Sequence, residues 1–253
     1  MNKKLSSLIC VALIVIISIP IISIAFAGKP DRGPLEKIVF IHYKKGYGKP
    51  EGTPGKPPKV GEGDYKLLVK GAKWKTTEPI VIDPDNPDGL SEAFIVSAIT
   101  ASVNEWDDGT YSDWGGVPID LFGGHSTVHD ATFDTVTPDG RNEILFGDYQ
   151  QEGVIAVCIV WGYFGGRPSG REIIEFDIMF DTDFDWGDAT VNPEVMDLQN
   201  IATHELGHGA GLGDLYRPRT SEETMYGYSE YGETKKRTLE SGDIAGIQFL
   251  YGE

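Results

Sequence analysis

Cysteine is nearly missing from this chain, with two in 253 residues, at positions 10 and 158. Cys10 lies in an N-terminal stretch that reads as an export signal, so removal of that stretch leaves Cys158 alone and excludes an internal disulfide. Stability then has to come from a core and from ions. Cys158 sits within the apolar residues 154–161, where a buried structural thiol is expected rather than a reactive one. Basic side chains are also short, 22 against 39 acidic ones, for a net charge of −17. Such an excess disfavours nucleic acid and anionic membrane as partners and favours cations or a basic partner. Histidine is scarce, with 5 in the chain, and there is no internal repeat.

The N-terminus has Lys3 and Lys4, an apolar run over residues 8–19, Pro20, and a small-x-small site at Ala25-Phe26-Ala27. Residues 1–27 therefore read as a secretory signal peptide, and an uncleaved membrane anchor is the alternative. Export implies a secreted, extracellular protein, with no membrane contact after cleavage. Residues 28–65 carry a net charge of +3 and residues 66–253 one of −22. The first stretch, rich in Gly, Pro and Lys over residues 46–63, reads as a basic N-terminal segment or linker. Residues 66–253 are long enough for one domain with a sizeable core.

Two of the five histidines, His204 and His208, stand four apart with Glu205 between them. On a helix they share one face, so both rings can address one ion while the carboxylic acid sits beside it. Asn192-Pro193 breaks any earlier element, and residues 195–206 hold no Pro or Gly and carry Val195, Leu198, Ile201, Ala202 and Leu206, which predicts a helix. Gly211 can take the left-handed conformation that turns the chain and returns Asp214 to the ion. Three protein ligands and one open position are the arrangement of a hydrolytic Zn²⁺ site.

This extended motif, His-Glu-x-x-His-x-x-Gly-x-x-Asp, resembles that of the metzincin metallopeptidases. Thr224-Met225-Tyr226, with Met225 lying 17 residues after His208, is similar to their methionine turn, and the Tyr directly after Met resembles the matrixins within that group. Residues 239–252 are similar to the last matrixin helix. The resemblance implies an α+β fold in which a twisted mixed sheet packs on a long helix, followed by the zinc helix, the Met-turn and a C-terminal helix. It also implies a zinc endopeptidase acting on peptide or protein substrates, with His204, His208 and Asp214 on Zn²⁺, Glu205 as general base towards the attacking water, and Met225 packed beneath the metal. Asp243 matches an acid that tethers the turn. The third ligand is Asp where matrixins usually have His, and the Cys-bearing segment that keeps matrixins latent is not recognisable. In metzincins an exposed edge strand beside the metal pairs with substrate, and residues 154–161 are the expected strand. A binding or adhesion protein of this fold without turnover is the alternative, although holding zinc needs no acid at Glu205.

Elsewhere, residues 38–41, 65–69, 79–82, 143–146, 154–163 and 173–180 read as strands and residues 91–106 as an amphipathic helix capped by Ser91. Asp177, Asp181, Asp183, Asp185 and Asp188 form an acidic run, of which Asp181, Asp183 and Asp185 are the candidate Ca²⁺ ligands. His125 and His129, four apart beside Gly123-Gly124, are weighed as a second zinc pair against a plain loop. His42 is expected to be an ordinary strand residue. Asp64, within Gly61-Glu62-Gly63-Asp64, faintly resembles an acid with which the pro-segment of one metzincin group blocks the metal, against a plain linker.

Overall fold

The computed structural model describes residues 32–48, 64–110 and 119–252. The signal at residues 1–27 and most of the Gly/Pro/Lys-rich stretch lie outside the described residues. Strand β1 spans Glu36–Lys44, β2 Glu78–Ile82, helix α1 Glu92–Gly109, β3 Phe122–Thr127, β4 Asn142–Gly147, β5 Val154–Tyr163 and β6 Glu172–Asp181. Two-residue strands β7 (Trp186–Gly187) and β8 (Met196–Asp197) lead into helix α2, Leu198–Gly209. After it come β9 (Tyr228–Ser229) and helix α3, Ser241–Tyr251.

The main sheet has seven strands in the order β3-β2-β4-β6-β5-β1-β9. From β3 to β6 the pairs are parallel, β5 is antiparallel to both neighbours, and β1 runs parallel to β9. This is the mixed, α+β architecture the sequence implies. On one face lie Ala156, Cys158 and Val160 of β5 with Phe176, Ile178 and Phe180 of β6, all in the core shared with α1 and α2. The sequence explains α1 directly. The Ser91 side chain accepts from Phe94 N, and Ile95, Ala98, Ile99, Ser102, Val103 and Trp106 bury one face at helical spacing. The Trp106 indole donates to Thr203 O at 2.7 Å, and Ser102 Oγ to Gln199 O at 3.2 Å, which fixes α1 against α2.

Four expectations change. Residues 154–161 do not form an exposed edge, because β5 lies between β6 and β1 and every residue from Val154 to Gly162 is buried. Its free side has been taken by a strand from the N-terminal segment. Residues 65–69 make only an isolated bridge, Leu67 to Leu212, rather than a strand. The zinc helix begins at Leu198 rather than 195, since Asp197 caps it by accepting from Asn200 N. Residues 122–127, with two glycines and little apolar alternation, nevertheless form edge strand β3, where pairing to β2 outweighs weak propensity.

Candidate metal centre

The centre is built where α2 ends. Gly211 has φ +108°, so the chain leaves α2 through a conformation open to glycine and comes back along the helix face. That return brings Asp214 Oδ1 to 3.2 Å from His204 Nε2 and 3.4 Å from His208 Nε2. Ligands on a tetrahedral Zn²⁺ with bonds of ~2.0–2.1 Å stand about 3.3 Å apart, so Asp214 Oδ1 has from each imidazole nitrogen the separation the ion requires. The far ring nitrogens are pinned to backbone carbonyls, His204 Nδ1 to Thr224 O at 2.7 Å and His208 Nδ1 to Leu212 O at 3.0 Å. Each Nδ1 therefore carries the proton and each Nε2 presents its lone pair inward. His204 Nε2, Asp214 Oδ1 and Glu205 Oε2 are buried polar atoms without hydrogen-bond partners, which suits atoms that serve a cation and a reacting water. Burial depresses the His204 imidazole to about 4, so it stays neutral and free to ligate.

Asp214 has a partner that sequence reasoning did not single out: Tyr216 OH donates to its Oδ2 at 3.0 Å, leaving Oδ1 for the ion. Beneath the site the Met-turn is held by Asp243. Its carboxylate accepts from Thr224 N at 2.6 Å and Met225 N at 3.1 Å. Gly207 makes the approach close, since a Cβ there would stand 2.3 Å from Met225 Sδ and 2.6 Å from Trp106 Cζ2. Leu215 N donates to Met225 O at 2.8 Å, tying the loop that carries Asp214 to the same turn.

His42 was expected to be an ordinary strand residue, and its position corrects that. It is buried in β1, with Nδ1 2.9 Å from Glu205 Oε1 and Nε2 3.1 Å from Ser229 Oγ. His42, His204 and Glu205 form a cluster of donor atoms in their own right. Behind Ser229 stands Lys236, fully buried, which donates to Ser229 Oγ and to Tyr228 O at 2.6 Å. Burial brings its ammonium down to about 8, while the Glu233 carboxylate at 3.3 Å opposes that. No sequence spacing links His42, Ser229 and Lys236 to α2, so only the fold could find them. Asp64 is not in the cleft; it lies 4.0 Å from Arg219 and packs its backbone against Gly242.

The acidic run disperses in three directions. Asp177 joins Asp134 and Glu175 on the sheet face away from α2, where burial raises its carboxyl to about 8 and that of Glu175 to about 7. Asp181 and Asp183 gather with Asp148, and Asp181 Oδ2 is buried without a partner. Asp185 belongs to no such cluster among the described residues, and Asp188 pairs with Arg237 at 2.7 Å. His129 groups with Asp83 and Asp85, whereas exposed His125 joins no ligand cluster among the described residues, so the two do not form a zinc pair.

A mixed sheet, a His-Glu-x-x-His helix, a returning carboxylate and a methionine turn together define a metzincin-type zinc peptidase fold. The sequence profile of the matrixin peptidases matches residues 126–252, and the chain belongs to the matrixin family. It is 27% identical over 238 residues to matrix metalloproteinase-16 of Homo sapiens, covering 90% of this chain and 35% of that protein. It is 26% identical over 197 residues to matrix metalloproteinase-18 of Xenopus laevis, covering 76% of this chain and 36% of that protein. Matrilysin of Rattus norvegicus is 38% identical over 77 residues, which cover 30% of this chain and 27% of that protein. The chain spans about a third of the length of the first two of these curated relatives.

Proposed function

We propose that the protein is a secreted zinc endopeptidase in which His204, His208 and Asp214 hold Zn²⁺ and Glu205 is the general base. The observation that carries this reading is the trio of inward-facing atoms, His204 Nε2, His208 Nε2 and Asp214 Oδ1, with a buried carboxylic acid on the same helix. Zinc held by His204, His208 and Asp214 would supply a Lewis acid and would lower the pKa of a water in the open position. Glu205 takes the proton as water adds to the scissile carbonyl and delivers it to the departing amine. Glu205 is buried beside the three inward-facing atoms, on the same helix as His204 and His208, which places its carboxylate within reach of a water held there. Tyr216 keeps Asp214 aligned, and Asp243 keeps the Met-turn in place under the site.

The reading that this is a binding protein without turnover is disfavoured by Glu205, whose buried, partnerless Oε2 has no use in merely holding metal. Digestion of a peptide library with mass-spectrometric mapping of the cleaved bonds decides between the two, since a binding protein leaves the library intact. Export follows from the N-terminal signal, and sequencing of protein recovered from the medium is expected to begin at Gly28. For Ca²⁺, Asp181 with Asp183 and Asp148 is the group that retains converging oxygens, and Asp185 is left out.

A further inference from the structure

We propose that the free edge of β3 and the face of α1 beside it form a docking groove for a protein partner that presents an extended segment carrying a lysine or arginine side chain. The groove lies at the opposite edge of the sheet from β1 and β9, so it is separate from the metal centre. Three observations carry the inference, and none depends on the peptidase reading.

First, β3 ends the sheet with one side unpaired. Among the described residues β2 is its one strand partner, and Gly124 to Thr127 are exposed. The strand holds no proline and no lysine, two residues with which proteins block pairing at an edge. Its outer backbone N–H and C=O groups are therefore open to an added strand, a general way of recognising an extended peptide.

Second, a cavity of about 220 Å³ opens between that edge and α1. Thr100, Val103 and Asp107 line it from α1, at the spacing of one helix face, and Asp120, Phe122 and Gly124 line it from the strand side. Glycine keeps it open, since a Cβ at Gly124 would meet nothing within 4 Å. Val103 and Phe122 give it an apolar floor, while Thr100 Oγ1 is a buried polar atom without a hydrogen-bond partner. Such an atom is left for a group that a visitor brings.

Third, the charge at the cavity is of one sign. The Asp107 carboxylate is fixed there by Leu121 N, which donates to its Oδ1 at 2.8 Å. Burial raises that carboxyl to about 6, the N–H groups of Leu121 and Phe122 oppose the rise, and the charges acting on it are those of Asp120 and Asp108. An ammonium or guanidinium between Asp107 and Asp120 relieves this repulsion, whereas an acidic side chain adds to it. The long stem of lysine or arginine suits Val103 and Phe122, and its charged end suits the carboxylates. Beyond the groove, the net charge of −22 over residues 66–253 draws a basic segment in and repels a second copy of this chain.

The test uses the chain from Gly28 with Glu205→Ala, so that no probe is cut, and a fluorescein-labelled peptide of alternating threonine and valine with one central arginine. Anisotropy is expected to show this peptide binding at least ~10-fold more tightly than its glutamate counterpart, and Asp120→Lys or Gly124→Phe to weaken it by at least ~10-fold. Both positions are exposed, and unchanged circular dichroism checks that each variant keeps the fold. Hydrogen exchange is expected to slow at residues 122–127 when the arginine peptide is bound. Equal binding of the two peptides overturns the proposal, and so does protection that appears on β5 or α2 in place of β3. Arginine amide binding as tightly as the peptide would remove the strand edge from the site and overturn it as well. Sedimentation showing self-association that Gly124→Phe abolishes would give the groove to a second copy and overturn the partner assigned here. Because turnover is never read, failure of the peptidase reading leaves each of these outcomes intact.

Discussion

Two regions meet at the metal centre, and they are built on different principles. Below it, α2, the Met-turn and α3 are tied by buried hydrogen bonds from Asp243 to Thr224 and Met225, and by the Trp106–Thr203 bond. Gly207, Met225 and Trp106 are packed so closely there that a methyl group finds no space. Above it, β1 contributes a backbone ladder, one stacked ring and one imidazole, and on its other face Val39 is exposed while Tyr43 is buried with Val154 and Val157. The lower region holds the ligand-bearing segments through buried hydrogen bonds and close packing, whereas the upper one reaches the site through Phe40 and His42. That contrast separates a region held by buried side-chain hydrogen bonds from one held chiefly by strand pairing.

The largest expected effect lies in the lower region. Glu205→Ala is expected to keep about one zinc per chain, measured by atomic absorption, and to lose at least ~10²-fold in turnover. Near-native turnover would remove Glu205 from the mechanism and with it the reason for His42 to hold it. Next comes the ligand set. Asp214→Ala should weaken zinc binding strongly, Asp214→His should retain it, and Tyr216→Phe should cost ~10-fold by freeing Asp214 to rotate. Competition with a chromophoric chelator ranks the three, and an unaffected Asp214→Ala would place the third ligand elsewhere.

Stability sharpens the comparison between the regions. Gly207→Ala is expected to destabilise by about 1–3 kcal/mol in urea unfolding, because its Cβ must displace Met225 or Trp106. Val39→Ala on the open face of β1 should change stability by less than ~0.5 kcal/mol. Equal losses would mean that β1 is as much scaffold as α2.

A smaller effect concerns pH. Glu175 is raised from its ordinary 4.5 to about 7, chiefly by burial, so the folded state keeps a proton that the unfolded chain has released. Stability therefore falls as pH rises from about 4.5 through 7. Glu175→Gln keeps an acceptor for Gly140 N and gives neighbouring Asp134 and Asp177 a donor, so its thermal midpoint should exceed the parent's at pH 8 and match it near pH 4. A parent midpoint flat across that range would contradict the assignment. Smallest of all, Cys158 is fully buried, and burial followed by the Glu205 charge pushes its thiol well up, so Ellman's reagent should react with it only on unfolding.

Local signals made much of this legible from sequence. The bounds of β5 coincide with an unbroken apolar run, Ser91 announces α1, and the His-Glu-x-x-His spacing with Gly211 and Asp214 places three side chains that the fold brings together. The rest is tertiary. His42 looks like any histidine between Ile41 and Tyr43, and its meaning comes from pairing with β5 across more than a hundred residues. The apolar run over β5 was ambiguous for the same reason, since full burial marks a strand paired on both edges as much as one awaiting a partner. The five aspartates looked like one cluster because strand alternation and the turn after β6, which send them to different neighbours, are invisible in spacing alone.

The place of β1 between β5 and β9 decides the character of this end of the sheet. β5 and β9 stand two strand spacings apart, about 9.5 Å, and β9 flanks β1 only beside Tyr43 and Lys44. Both ladders are directional, β1 running against β5 and with β9. One strand thus joins an antiparallel ladder to a parallel one, so the direction in which residues 36–44 run sets the mixed character of the sheet beside the metal centre.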